Sequence, residues 1–171
     1  MQWIESFCDK FAKILGVVIS FLLILMMINV TFDTLNRYLM NTNYVFLQEM
    51  EWHLFSIIIL LGLSYALNEE GHVRVDILYT RFSQKKKAIV NMIGVVIFIL
   101  PLSLLIAFGS LGFVEKSFIF MEQSGDPGGL PYRFIIKALI PTSFFVLIIM
   151  STGYFARNYN LLKRLNLGSE S

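Results

Sequence analysis

Four apolar stretches, each long enough or nearly long enough to cross a bilayer as a helix, dominate the sequence at about residues 14–35, 50–67, 88–114 and 134–155. A hydrocarbon core takes about 20 apolar residues of helix to span. Inside lipid every backbone N–H and C=O must be satisfied within its own segment, which favours helices over isolated strands. The expected fold is therefore an all-α membrane protein of four transmembrane helices, forming one membrane domain over residues 1–171. With 56% hydrophobic and 15% charged residues, the chain departs from the soluble average of about 25% charged. That excludes a disordered chain and an ordinary soluble enzyme. The formal net charge is only +2, so nucleic acid is not an expected partner.

The first stretch is too long for a signal-peptide core and lacks a small-x-small cleavage site after it, so it is expected to be a retained span. Orientation follows from the basic residues. Lys10 and Lys13, then Arg74, Arg81, Lys85, Lys86 and Lys87, then Arg157, Lys163 and Arg164 fall on one side. Arg37, Lys116, Arg133 and Lys137 fall on the other. The larger set places both termini in the cytoplasm.

The connections carry local punctuation. Gly71 suits the left-handed position that ends span 2, and Asp76 can cap a short amphipathic interfacial segment bearing Ile77, Leu78 and Phe82. The alternation of Val73, Val75 and Ile77 with Arg74 and Asp76 fits a short extended piece equally well. Ser83 is a candidate N-cap for span 3, and Pro101 near the middle of that span supplies a kink. The run Gly125-Asp126-Pro127-Gly128-Gly129-Leu130-Pro131 forces a tight turn, with Pro131 expected as the first residue of helix 4.

Ionisable groups within a span are costly unless paired. Asn29, Asp33 and Arg37 share one face at i, i+4 and i+8, so Asp33 and Arg37 are expected to pair along helix 1. Ligation of an ion or substrate by Asp33, or contact with another subunit, are the other readings of that face. Glu49, Trp52, His53 and Ser56 form a stripe at the start of helix 2, with Glu51 pointing elsewhere. Across the short connection Glu49 can reach Arg37 and tie helices 1 and 2 together. Trp52 reads as an interface aromatic. His53 is a poor metal ligand, because His72 lies near the opposite membrane face.

Gly62 with Ala66, and Gly109 with Gly112, mark candidate points of close helix approach. Sixteen phenylalanines make the surface bulky, which suits lipid or a large apolar partner. Catalysis finds no foothold: HExxH, GxSxG and GxxxxGK[ST] are absent, and the lone Cys8 offers neither a disulfide nor a CxxC. Neither a metal nor an organic cofactor is expected.

Four features then align with a known family: Arg37-Tyr38 after span 1; Glu49 with Glu51-Trp52-His53 opening span 2; Gly71-His72-Val73-Arg74-Val75-Asp76 after span 2; and Gly128-Gly129-Leu130-Pro131-Tyr132-Arg133 leading through Lys137 to Ile140-Pro141. In this order the chain resembles the small membrane subunit of a tripartite ATP-independent periplasmic (TRAP) transporter, over roughly residues 10–160. The resemblance implies a large polytopic membrane subunit that carries Na⁺ and substrate, a periplasmic substrate-binding protein, and a bacterial inner-membrane location. It implies import of a carboxylate-bearing solute of the sialic acid or C4-dicarboxylate class, with this chain as a fixed scaffold holding no Na⁺ itself. Some relatives fuse the two membrane subunits, and this chain is expected to be the unfused kind.

On that reading Asp33, Arg37, Glu49, Trp52, His53, Gly62 and Ala66 serve structural or partner contacts. Arg74, Arg81, Lys85, Lys86 and Lys87 meet anionic lipid at the cytoplasmic interface. Glu115, Glu122 and Asp126 offer a docking surface to the periplasmic protein. The rival expectation is an autonomous four-helix channel or carrier acting as a homo-oligomer, in which Asp33 lines a pore.

Overall fold

A computed structural model describes residues 2–69 and 82–167. The sequence reading of residues 70–81, including the Gly71–Asp76 motif, the amphipathic segment and the basic Arg74 and Arg81, lies outside the described residues. Those described form four long helices and no strand: α1 (Gln2–Met40), α2 (Val45–Asn68), α3 (Gln84–Ile119) and α4 (Phe134–Leu167). All four are long and apolar enough to cross a membrane.

Each helix outruns its apolar stretch, because the polar ends continue the same backbone pattern. The 39 residues of α1 measure about 58 Å at 1.5 Å per residue, and the 24 of α2 about 36 Å. In a hydrocarbon layer about 30 Å thick, α1 has to tilt or project. Asn41, in the left-handed region at φ 50°, ends α1 and turns the chain directly into α2. The two helices therefore run antiparallel. We refer below to the end carrying the connections after α1 and α3 as the loop end, and to the opposite end as the terminal end.

Helix α3 has an internal adjustment that Pro101 explains. Proline has no N–H and its ring collides with the carbonyl four residues back. The turn before it widens: Val95–Ile99 is π-helical, and the Leu100 N–H donates to the Val95 carbonyl. A second discontinuity falls at Ser110, between Leu100–Gly109 and Leu111–Ile119. Ser83 caps the start as expected, its hydroxyl accepting from the Lys86 N–H at 3.4 Å. Helix α4 starts at Phe134, not Pro131, because Tyr132 takes a left-handed φ of 62° that a helix cannot contain.

The core gathers Cys8 and Ala12 of α1, Leu67 of α2, Val95 of α3, and Leu147, Met150 and Tyr154 of α4. Phe108 meets Phe145 edge-on at 5.6 Å, and Phe118 meets Phe134 at 5.2 Å, joining α3 to α4. On α1 the inward positions Cys8, Ala12, Leu15 and Asp33 are buried, whereas Ile14, Val17, Phe21, Ile24 and Ile28 are more than half exposed.

The close-packing glycines differ from those the sequence suggests. A Cβ at Gly62, Gly109 or Gly112 would meet nothing within this chain. The intimate contacts are at Gly153, where Cys8 packs on the bare backbone, and at Gly16, where the Tyr65 ring would lie 2.8 Å from an added Cβ. Spacing alone marks small residues but not which helix face has a neighbour. Gly153→Ala should accordingly destabilise the bundle by about 1–3 kcal/mol through overpacking. Gly62→Ala should be neutral or stabilising by up to about 1 kcal/mol. Thermal unfolding of the two variants in detergent distinguishes these outcomes.

Candidate functional site

Charged and hydrogen-bonding side chains collect at the two ends of the bundle, where they act as clamps. At the loop end the centre is Glu49, in the second turn of α2 and only 4% exposed. Its Oε1 accepts from the Ser124 hydroxyl and from Arg133 Nη2 at 3.0 Å, and its Oε2 accepts from the Leu130 N–H. Arg133 also reaches the Ser124 hydroxyl at 3.3 Å. A single carboxylate on α2 thus holds both sides of the turn between α3 and α4. The turn closes on itself through Ser124 N–H to Leu130 C=O at 3.2 Å and Arg133 N–H to Glu122 C=O at 2.9 Å. Gly129 passes so close to Glu49 and Ser124 that no Cβ fits, and Gly128 takes φ 83°.

This corrects the expected link from Glu49 to Arg37. Arg37 pairs with Asp33 on its own helix, as the i, i+4 spacing predicts. Asp33 is fully buried while Arg37 stays 44% exposed at its side chain. Helices α1 and α2 are joined instead by Asn29 Nδ2 donating to the Leu47 carbonyl at 3.0 Å. Asp33 Oδ1, Asn36 Nδ2 and Glu51 Oε1 are buried with no hydrogen-bond partner among the described residues.

Trp52 and His53 flank the clamp. His53 Nδ1 lies 2.6 Å from the Glu49 carbonyl, its ring against that of Trp52, and the Arg133 guanidinium sits 5.8 Å from the Trp52 ring centre. Glu122 pairs with Lys137, whose ammonium also lies 4.0 Å from the Phe113 ring centre. The hydrogen bond from Lys137 holds the Glu122 carboxyl below its ordinary range. Among the expected docking residues Glu122 is therefore already engaged, while Glu115 and Asp126 are exposed. Lys85 and Lys86 are exposed at the start of α3 and Lys87 is half-buried.

Sequence reasoning missed the clamp at the terminal end. Arg157 of α4 bonds Asp9 of α1, the Asn68 carbonyl at 2.9 Å and Asn68 Oδ1 at 3.1 Å, with Glu5 at 4.0 Å. Asn160 adds Glu5 at 3.1 Å, and Asn91 of α3 donates to Asn158 of α4 at 2.9 Å. Arg157 had counted only toward orientation. The signal for its role was the Glu5/Asp9 pair on one face of α1, facing an arginine beyond the last apolar turn of α4.

Between the clamps the core is apolar, and the buried Ser143 and Ser151 hydroxyls donate to carbonyls of their own helix. Among the described residues no cluster of three His, Cys, Asp or Glu could hold a metal. The sequence pattern of the tripartite ATP-independent periplasmic transporters, DctQ component, matches residues 26–160. The chain belongs to this family. A Haemophilus influenzae protein bearing the name TRAP transporter small permease is 28% identical over 156 residues, covering 91% of this chain and 95% of that one. No solved structure matches the chain. As a DctQ component it is a multi-pass membrane subunit of a TRAP transporter.

Removing Glu49 leaves the Arg133 guanidinium without its carboxylate and the Leu130 N–H without its acceptor. Glu49→Ala should cost about 3–5 kcal/mol, the usual loss on breaking a buried pair, with Glu49→Gln intermediate. Amide exchange should rise across residues 124–133 before the rest of the protein. For Glu122 the folded value is depressed, so the pair's contribution is complete above the unfolded carboxyl value and fades as pH falls through the folded one. Lys137→Gln should flatten the acid limb of a stability-versus-pH curve relative to the native chain.

Proposed function

We propose that this chain is the stationary scaffold of its transporter, packing against a large polytopic subunit that carries Na⁺ and a carboxylate-bearing solute of the sialic acid or C4-dicarboxylate class. Both termini lie in the cytoplasm of a bacterial inner membrane, and the loop end faces the periplasm. There Glu115 and Asp126, with Glu122 beside them, meet a substrate-binding protein. The basic residues from Arg74 to Lys87 rest on anionic headgroups at the cytoplasmic face.

The observation that carries this reading is the division of labour within the bundle. Polar groups are spent on locking the two ends, and among the described residues the middle offers apolar packing with no chain of charged side chains along which an ion could pass. A subunit built this way supports motion in a neighbour better than it moves a solute. The apolar outer face of α1, from Ile14 to Leu35, leaves wide surface for a membrane partner. The autonomous channel gains little from Asp33, whose side chain is buried and whose Oδ2 is paired with Arg37.

The decisive experiment is isolation of the tagged chain from its native membrane. A stoichiometric large polytopic protein should accompany it, and solute uptake in vesicles should require both chains. Asp33→Asn should keep uptake while lowering thermal stability. Uptake by this chain alone, abolished by Asp33→Asn, would establish the channel instead.

A further inference from the structure

A groove of about 380 Å³ runs inward from the loop end between α2 and α4. Phe55, Ile59 and Leu60 form one wall, and Ile136 and Ile140 the other. Two polar residues touch it. The Ser56 hydroxyl is already committed to the Trp52 carbonyl at 2.7 Å, so the depth of the groove asks for no hydrogen bond. Lys137 stands at the mouth, where Trp52 also lies, 41% exposed.

We infer that this groove is a binding site for a zwitterionic phospholipid, one acyl chain lying along Phe55, Ile59 and Ile140 and the headgroup resting on the Lys137–Glu122 pair. Three observations select this occupant. The walls are bulky and branched, with Ser56 the one small residue, whereas a packed partner helix favours small residues that let backbones approach. An acyl chain conforms to such walls and brings no polar group to satisfy.

The mouth carries matched charges. Lys137 spends one N–H on Glu122 and faces Phe113, which leaves donor capacity for a phosphate oxygen. Glu122 keeps its side chain 36% exposed and can accept from a headgroup ammonium. Arg133, the neighbouring cation, is taken up by Glu49. A rim without net charge fits a headgroup that carries both signs, as an ethanolamine phospholipid does, and gives a purely anionic one no advantage. Third, the groove starts beside Trp52 and Arg133, an aromatic and a cation of the kinds that favour the water–lipid boundary, which would set the headgroup at its natural depth.

The test uses the transporter purified from membrane, exchanged into nanodiscs of equal phosphatidylethanolamine and phosphatidylglycerol, with lipid retained on this chain counted by native mass spectrometry. The native chain should hold one phosphatidylethanolamine. Ile59→Trp, at a half-exposed position, fills the groove and should reduce that occupancy by about tenfold. Ile28→Trp, on the outer face of α1, should leave it unchanged, and Glu122→Gln, which removes the acceptor for the headgroup ammonium, should abolish the preference over phosphatidylglycerol. Absence of lipid on the native chain, preferential retention of phosphatidylglycerol, or equal loss in Ile59→Trp and Ile28→Trp would each overturn the site. The lipid count is read on this chain itself. Failure to recover a large partner would refute the scaffold reading and leave the lipid result standing.

Discussion

A carboxylate at the edge of a hydrocarbon layer has to be satisfied almost completely or not be there, and Glu49 is satisfied almost completely. Three donors converge on it, from a hydroxyl, a backbone amide and a guanidinium, all supplied by one turn between α3 and α4. The turn's own features follow from serving that group. Gly129 lacks a side chain because the carboxylate and Ser124 occupy the space, and the left-handed Tyr132 swings Arg133 back toward α2 before the helix begins. One buried charge thereby fixes how the second pair of helices sits on the first.

The Arg157 cluster performs the corresponding task at the other end by different means. It uses a long side chain of α4 to gather carboxylates of α1 and the buried Asn68 carbonyl at the end of α2. That choice suits its surroundings, since the last carbonyls of a helix lack partners and a guanidinium supplies several donors in one plane. With both ends tied, the intervening helices need only shape complementarity. The contact of Cys8 on Gly153 and the edge-on phenylalanine pairs provide it.

Features confined to a few consecutive residues were legible in the sequence. The four spans, the Ser83 cap, the disturbance at Pro101 and the Asp33–Arg37 pair each depend on spacing along one helix. What eluded it were bonds between residues far apart in the chain. Glu49 has a donor near at hand in Arg37 and one far away in Arg133, and the i, i+4 spacing that gives Arg37 to Asp33 does not say that Arg133 returns to Glu49. Gly62 and Gly153 look alike as letters, yet only Gly153 has a neighbour against it. The start of α4 was misjudged for a related reason: Pro131 favours a helix start, and the pull of Glu49 on the turn overrides it.

Because Glu49 is satisfied from residues 75 to 84 positions downstream, the order of synthesis matters. Chains emerge from the ribosome N-terminus first, so the hairpin of α1 and α2 reaches the bilayer while the donors it needs are still unmade. Until they arrive only water can satisfy the carboxylate, which should favour a shallow position of α2 at the surface. Arrival of the second hairpin would replace that water and let α2 settle deeper. The later helices would then complete the insertion of the earlier ones.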